Sequence, residues 1–179
     1  MRKPLKKYIV RIAGFDDAAG IFGLIRQYPN ELVPRAVSDI EQNIDRFLVA
    51  ESGGRVVGTV SWSILPEIGL AKDPSIELKS LAISRKYRSR GLGRALVLAA
   101  VTWIRRLNPS RIIVLTFTPE FFRKFGFREV PKKSLMHKLY MGCSNCTKYD
   151  SPFTCPEVAM SVDDFSVFDK FDKEGEPEA

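Results

Sequence analysis

Apolar and polar positions alternate from Tyr8 to Ala13, with Ile9, Val10 and Ile12 around Arg11, and this period of two predicts a first strand. The period then lengthens. Ile21, Leu24, Ile25 and Tyr28 fall at i, i+3, i+4 and i+7, which predicts a helix over Asp17–Tyr28 with Asp16 as its cap. Pro29 and Pro34 bracket a loop, after which Ser38 and Glu41 have the spacing of a capping box and open a shorter helix with Ile40, Ile44 and Phe47 on its apolar face. Phe47–Ala50 and Arg55–Ile64 read as strands joined through Gly53 and Gly54, since glycine accepts the positive φ of a tight hairpin. Leu65–Ser75, with two prolines and Gly69, reads as a loop, and Ile76–Ile83 returns to strand. A helix over Gly91–Leu107 follows on the stripe Leu92, Leu96, Ala99, Ala100, Trp103 and Leu107. Arg111–Thr116 reads as a buried strand, Glu120–Phe125 as a short helix, and a last strand opens at Phe127. The order β, α, α, β, β, β, α, β, α, β predicts an α+β fold of mixed α/β content, with a β-α-β crossover around Gly91.

Composition narrows the class. A chain of 179 residues, 45% hydrophobic and 27% charged, can bury one ordinary core without staples, and one domain is expected over residues 1–162. The longest uncharged apolar run, Ala95 to Ile104, is ten residues, about half the length of a membrane-spanning helix. The basic N-terminus (Arg2, Lys3, Lys6, Lys7) leads into Tyr8–Ala13, which Arg11 interrupts, so a secretory signal is not expected and the reading places the chain in the cytoplasm, away from membranes. Charge is unevenly spread. Residues 163–179 hold seven acids and two bases, which leaves 26 bases and 14 acids, a net +12, on residues 1–162. A basic body expects an anionic partner, and the acidic segment 163–179 reads as a flexible tail.

Part of that positive charge is concentrated at one turn. Arg88-Ser89-Arg90-Gly91-Leu92-Gly93-Arg94 joins a predicted strand to a predicted helix, and its glycines let the first-turn amides approach an anion while the helix dipole and three arginines attract it. Two other phosphate loops are excluded by spacing, because Gly93 is followed by Arg94-Ala95 rather than Lys-Ser/Thr, and position 96 is Leu rather than Gly or Ala. Glycines that cap a surface helix beside solvated arginines are the plainer alternative.

In its strand and helix context, Arg88-x-x-Gly91-x-Gly93 resembles the coenzyme A signature of the GNAT acetyltransferase superfamily. Glu77-Leu78-Lys79-Ser80-Leu81-Ala82-Ile83 is similar to the strand before that signature, and Phe121-Phe122-Arg123-Lys124-Phe125-Gly126-Phe127 to the short helix along the thiol end of the cofactor. Val114-Leu115-Thr116 followed by Glu120-Phe121-Phe122 and Lys124-Phe125-Gly126-Phe127, with Leu32-Val33-Pro34-Arg35 ahead of Ser38 to Phe47, resembles most the stand-alone N-acetylglutamate synthase-like enzymes.

The resemblance implies a GNAT-like fold with a central, mostly antiparallel mixed sheet flanked by helices and a splayed strand pair. It also implies acetyl-CoA as donor and a small-molecule amine as acceptor, with the α-amino group of glutamate as the specific expectation. Leu81, Ala82 and Ile83 would pair with the pantetheine arm, Arg88 to Arg94 would hold the pyrophosphate, and Phe122 would pack on the cofactor. Glu77 is the expected base, and Arg35 and Lys79 the expected ligands of the acceptor's carboxylates. Phe122 stands where many members have the tyrosine that reprotonates the thiolate, so Tyr140, or no dedicated donor, takes that role. A homodimer is compatible with the reading. Trp62 and Trp103 are expected in the core.

Three cysteines, an odd number, do not suggest a disulfide framework. His137, Cys143, Cys146 and Cys155 could instead hold a structural zinc, the Cys-x-x-Cys half being metal-like and the rest not; reduced packing thiols or a redox pair are the alternatives. Two further function classes stay open: a nucleic-acid-binding module with a zinc knuckle, motivated by the basic body but lacking clustered exposed aromatics, and a silent acyl-coenzyme A sensor.

Overall fold

The computed structural model describes residues 8–65, 74–143, 146 and 148–172. Seven strands among them, β1 (Ile9–Ile12), β2 (Phe47–Glu51), β3 (Val56–Leu65), β4 (Ser75–Ile83), β5 (Arg111–Thr116), β6 (Arg128–Glu129) and β7 (Val158–Val162), form one sheet in the order β1-β2-β3-β4-β5-β7-β6. The main helices are α1 (Ala18–Ile25), α2 (Val37–Gln42), α3 (Leu92–Arg105) and α4 (Pro119–Arg123). β4 and β5 pair in parallel, with α3 between them in the chain, which is the expected crossover; β1–β2, β2–β3, β5–β7 and β6–β7 pair antiparallel. The expected α+β fold with a mixed, mostly antiparallel sheet is therefore observed. The chain divides into two compact units, residues 1–62 with 79–103 and residues 63–78 with 104–179, so that β3 and β4 each give one end to each unit. No helix among the described residues is long and apolar enough to cross a membrane.

In the first unit, Gly53 and Gly54 sit at φ +60° and +71° and close the β2–β3 hairpin, as the sequence required. Ala18, Ile21 and Ile25 of α1 and Ile40 of α2 bury against Phe47 and Val49 of β2. The caps differ from expectation. α1 is preceded by a tight turn at Phe15–Asp17, and Asp17, not Asp16, accepts the Gly14 amide at 2.8 Å. Ser38 is not a cap either, because α2 already begins at Val37 with Ala36 before it.

Asp17 also receives two hydrogen bonds from Arg11, at 2.6 and 2.9 Å, while Arg11 reaches Glu51 at 2.8 Å. Those bonds from Arg11, with the Gly14 amide and against the opposing effect of burial, hold the Asp17 carboxyl below its ordinary range. A depressed carboxyl stabilises the fold above the unfolded-state value, about 3.9, and loses that contribution as pH falls through the folded-state value. Asp17→Asn is expected to cost about 1 kcal/mol at pH 7, less than is usual for charge-assisted hydrogen bonds because the Arg11 side chain is 37% exposed and screened. Urea midpoints of the two proteins should converge as the pH is lowered below about 4.

α3 turns a different face inward from the one its period suggested. Leu92, Leu96 and Ala100 are buried as expected, but Val97, Val101 and Ile104 join them, while Trp103 is 40% exposed and Leu107 lies outside the helix. Trp62 is buried.

In the second unit, β5 lies between β4 and β7, and Ile113 and Ala159 bury with Leu65 and Leu135. β7 was not expected, and β6 is two residues rather than a full strand. Residues Phe165–Phe168 and Asp169–Asp172, expected as part of an acidic tail, form helical turns: Phe168 is buried, Phe171 stacks on Phe125 at 5.9 Å, and Asp169 pairs with Arg105 at 3.0 Å. Residues 173–179 and most of the expected Leu65–Ser75 loop lie outside the described residues.

Candidate active site

The first unit contains the turn expected to bind an anion. β4 ends at Ile83, Ser84 donates its amide to Val57 at 2.8 Å, and a tight turn at Arg85–Tyr87 leads into Arg88. Gly91 then accepts the first helical hydrogen bond of α3, from the Ala95 amide at 3.0 Å. The first turn of α3 stands at the positive end of the helix dipole, which favours an anion. Gly91 adopts φ +83°, and a Cβ built there meets nothing within 4 Å, so backbone conformation rather than space demands glycine. Ser89 is also left-handed, at φ +58°, which no feature of the sequence announced. Arg88, Ser89, Arg90 and Arg94 are exposed, and the Arg88 guanidinium lies 4.5 Å from the centre of the Tyr28 ring.

Tyr28 was not among the expected site residues. Its hydroxyl donates to the Ile83 carbonyl at 2.5 Å, and its buried ring packs with Leu24 and Ala82, so one side chain fixes both the end of β4 and the first arginine of the turn. A buried tyrosine at the end of an amphipathic helix needs a partner for its hydroxyl, and that need was the available signal. The Ile83 carbonyl is thereby partly satisfied within the protein, whereas Leu81 is half-buried and Ala82 buried.

Ser80 lies in the left-handed region at φ +55° inside β4, an irregularity that redirects the strand. Its hydroxyl accepts from Arg35 Nε at 2.9 Å. Arg35 also pairs with Asp39 at 2.5 Å and its side chain is only 15% exposed, so the residue expected to bind the acceptor is engaged with its own fold. Lys79 is half-buried, with its carbonyl accepting from Ser61 at 3.3 Å.

Glu77 belongs to the second unit, at the end of β4 that pairs with β5 through Ser75, Ile76 and Glu77. Among the described residues that pairing ends at Glu77. Glu77 is 5% exposed and forms an ion pair with Lys138, whose Nζ lies 2.7 Å from Oε1 and 2.9 Å from Oε2. Burial pulls the Lys138 ammonium down, but the charge and hydrogen bond of Glu77, with smaller help from Cys143 and Glu157, hold it above its ordinary range. Lys138 was missed, since 61 residues separate it from Glu77; the available signal was that a strand carboxylate in a core needs a countercharge.

The cysteine segment lies in the same unit. Among the described residues no group of three or more His, Cys, Asp and Glu side chains could hold a metal ion, so the zinc site expected of His137, Cys143, Cys146 and Cys155 is not formed. All three thiols are free. Burial pushes the Cys143 and Cys155 thiols up, against the thiolate form that ligation requires, and Cys155 Sγ turns to Glu157 at 3.6 Å. The zinc knuckle on which a nucleic-acid module would rest goes with it. Burial likewise raises the Glu157 carboxyl. Phe122 of α4 is 5% exposed and stacks edge-on with Phe121 at 5.1 Å and Phe127 at 5.6 Å, so its ring is mostly core. The Tyr140 side chain lies outside the described residues.

The family model described as Acetyltransferase (GNAT) family matches residues 19–127. An uncharacterized N-acetyltransferase of Chlorobaculum tepidum is 31% identical over 88% of this chain and 97% of its own length. An amino-acid acetyltransferase of Vibrio cholerae is 31% identical over 70% of this chain, which spans only 28% of that longer protein. Among solved structures, N-acetylglutamate synthase from Neisseria gonorrhoeae, complexed with coenzyme A and N-acetyl-glutamate, superposes with a TM-score of 0.70 at 22% identity, over 88% of this chain and 35% of that one.

Proposed function

Because the chain belongs to the acetyltransferase (GNAT) family, we propose that it transfers the acetyl group of acetyl-CoA to the α-amino group of a small amino acid, with glutamate as the acceptor. Support for the donor half comes from the turn at Arg88–Arg94, where two glycines and three exposed arginines stand at the start of α3. Support for the acceptor half comes from the amino-acid acetyltransferase relative and the N-acetyl-glutamate-bound neighbour.

Each residue then has a role. The amides of Leu92, Gly93 and Arg94, with Ser89, Arg88, Arg90 and the Arg94 side chain, bind the pyrophosphate. The backbone of Leu81, Ala82 and Ile83 pairs with the pantetheine amides as an added strand would. Phe122 supplies packing at the thiol end. Arg35 fixes the Ser80 irregularity of β4 and so shapes the strand, leaving Lys79 as the cation for the acceptor's side-chain carboxylate. Glu77 takes the proton that the acceptor's ammonium must lose before its nitrogen can attack the thioester carbon. The C–N bond forms, the C–S bond breaks, and the second proton lost by nitrogen balances the one gained by the thiolate, a leaving group whose ordinary pKa, about 8.5, lets it depart without a dedicated acid.

Release of free thiol from acetyl-CoA, measured across amino acids, polyamines and peptides, tests the reading. Highest kcat/KM on glutamate is expected. Turnover of peptides or polyamines with none on glutamate would replace the acceptor assignment.

A further inference from the structure

The Glu77–Lys138 pair has a property that a lone base does not need. Both charges are nearly buried, with side-chain exposures of 6% and 13%, and such a pair offsets its desolvation only while each member keeps a partner of opposite sign. An amine that approaches Glu77 alone draws away the carboxylate nearest Lys138 and leaves that buried cation with only the weaker support of Cys143 and Glu157. A free α-amino acid carries a complementary pair of its own, an ammonium and a carboxylate on one carbon. It can take both partners at once.

The ammonium of Lys138 is placed for such an exchange. A Cβ built on the exposed Gly142 would stand 2.6 Å from Lys138 Nζ, so the amino group lies directly beneath surface backbone that has no side chain to cover it.

We propose that Lys138 is the receptor for the acceptor's α-carboxylate, exchanging Glu77 for it and thereby freeing Glu77 to hold the α-ammonium and accept its proton. This inference rests on the acetyltransferase reading given above and adds the feature of the acceptor that is selected: a free carboxylate beside the amine. It predicts discrimination against peptide N-termini, polyamines and α-amides, which lack that group. Only ion-pair exchange and one proton transfer are involved, so no additional reactant is needed.

The test compares free amino acids, L-glutamate included, with their α-amides as acceptors for the full chain and for Lys138→Gln, Lys138→Arg and Gly142→Ala. The wild type is expected to favour the acid by roughly 10- to 100-fold in kcat/KM, the range of one charge-assisted hydrogen-bonded pair. Lys138→Gln should lose that preference, its kcat/KM falling much further on the acid than on the amide, and Lys138→Arg should retain the preference. Gly142→Ala keeps both charges but crowds Nζ, and should erode the preference; it decides the matter by the same criterion if Lys138→Gln does not fold. Equal turnover of acid and amide by the wild type, or an equal loss on both in Lys138→Gln, overturns the proposal. Discrimination seen with an amino acid other than glutamate supports Lys138 as the receptor while refuting the glutamate assignment, and turnover of peptides alone refutes both.

Discussion

Glu77→Gln is expected to lower kcat by a factor on the order of 10² to 10⁴ while leaving the affinity for coenzyme A unchanged. The amide is nearly isosteric and can still accept a hydrogen bond from Lys138, but it cannot take a proton from the acceptor. Glu77 is not among the residues proposed to hold the cofactor, so the cofactor should still bind. Stability will also fall, because Lys138 keeps a charge that is mostly withdrawn from water and loses the carboxylate 2.7 Å away. Removing one member of a buried pair costs about 3–5 kcal/mol, and a retained hydrogen bond places this substitution toward the lower end. Urea denaturation at the assay temperature separates the two effects. A fully folded variant with kcat within a few-fold of wild type would remove Glu77 from the chemistry and leave its pair with Lys138 a structural one.

Gly91→Glu should weaken coenzyme A binding by at least about 100-fold, and Gly91→Ala by about 10-fold. Both substitutions place a Cβ at φ +83°, where an L-residue pays about 1–2 kcal/mol, but neither meets a clash because the surrounding space is open. Their difference isolates charge. A carboxylate at the head of α3 competes for the amides and dipole that would otherwise receive the pyrophosphate, and it draws on the same arginines. Calorimetric titration with coenzyme A provides the comparison, and raising the salt concentration should narrow the gap between the two variants. Affinities equal to wild type in both would move the cofactor away from this turn.

The elements that the sequence announced are those whose signal is local. β5 spans Arg111–Thr116, as expected, around the apolar run Ile112–Leu115, and the hairpin follows from two consecutive glycines that both take positive φ. The turn before α3 was legible because glycines and arginines are concentrated at one junction. Helix orientation was harder. Leu96, Val97, Leu98, Ala99, Ala100 and Val101 follow one another in α3, so two neighbouring stripes are almost equally apolar and periodicity alone does not choose the one that excludes Trp103. β7 is only five residues long and follows the cysteine segment, while its partner strand β5 lies far upstream, so nothing nearby marks it as a strand. The pairs made by the candidate site residues are long-range for the same reason. Tyr28 with Ile83, Arg35 with Ser80 and Glu77 with Lys138 each join residues more than 40 positions apart, and a sequence shows the charges without showing which of them meet.

The most direct test of the proposed reaction is identification of the product formed from acetyl-CoA and 15N-labelled L-glutamate. The label is expected to appear as a secondary amide, with a 15N–H resonance growing in step with released coenzyme A thiol. Thiol release with the nitrogen label remaining as free amine would contradict it.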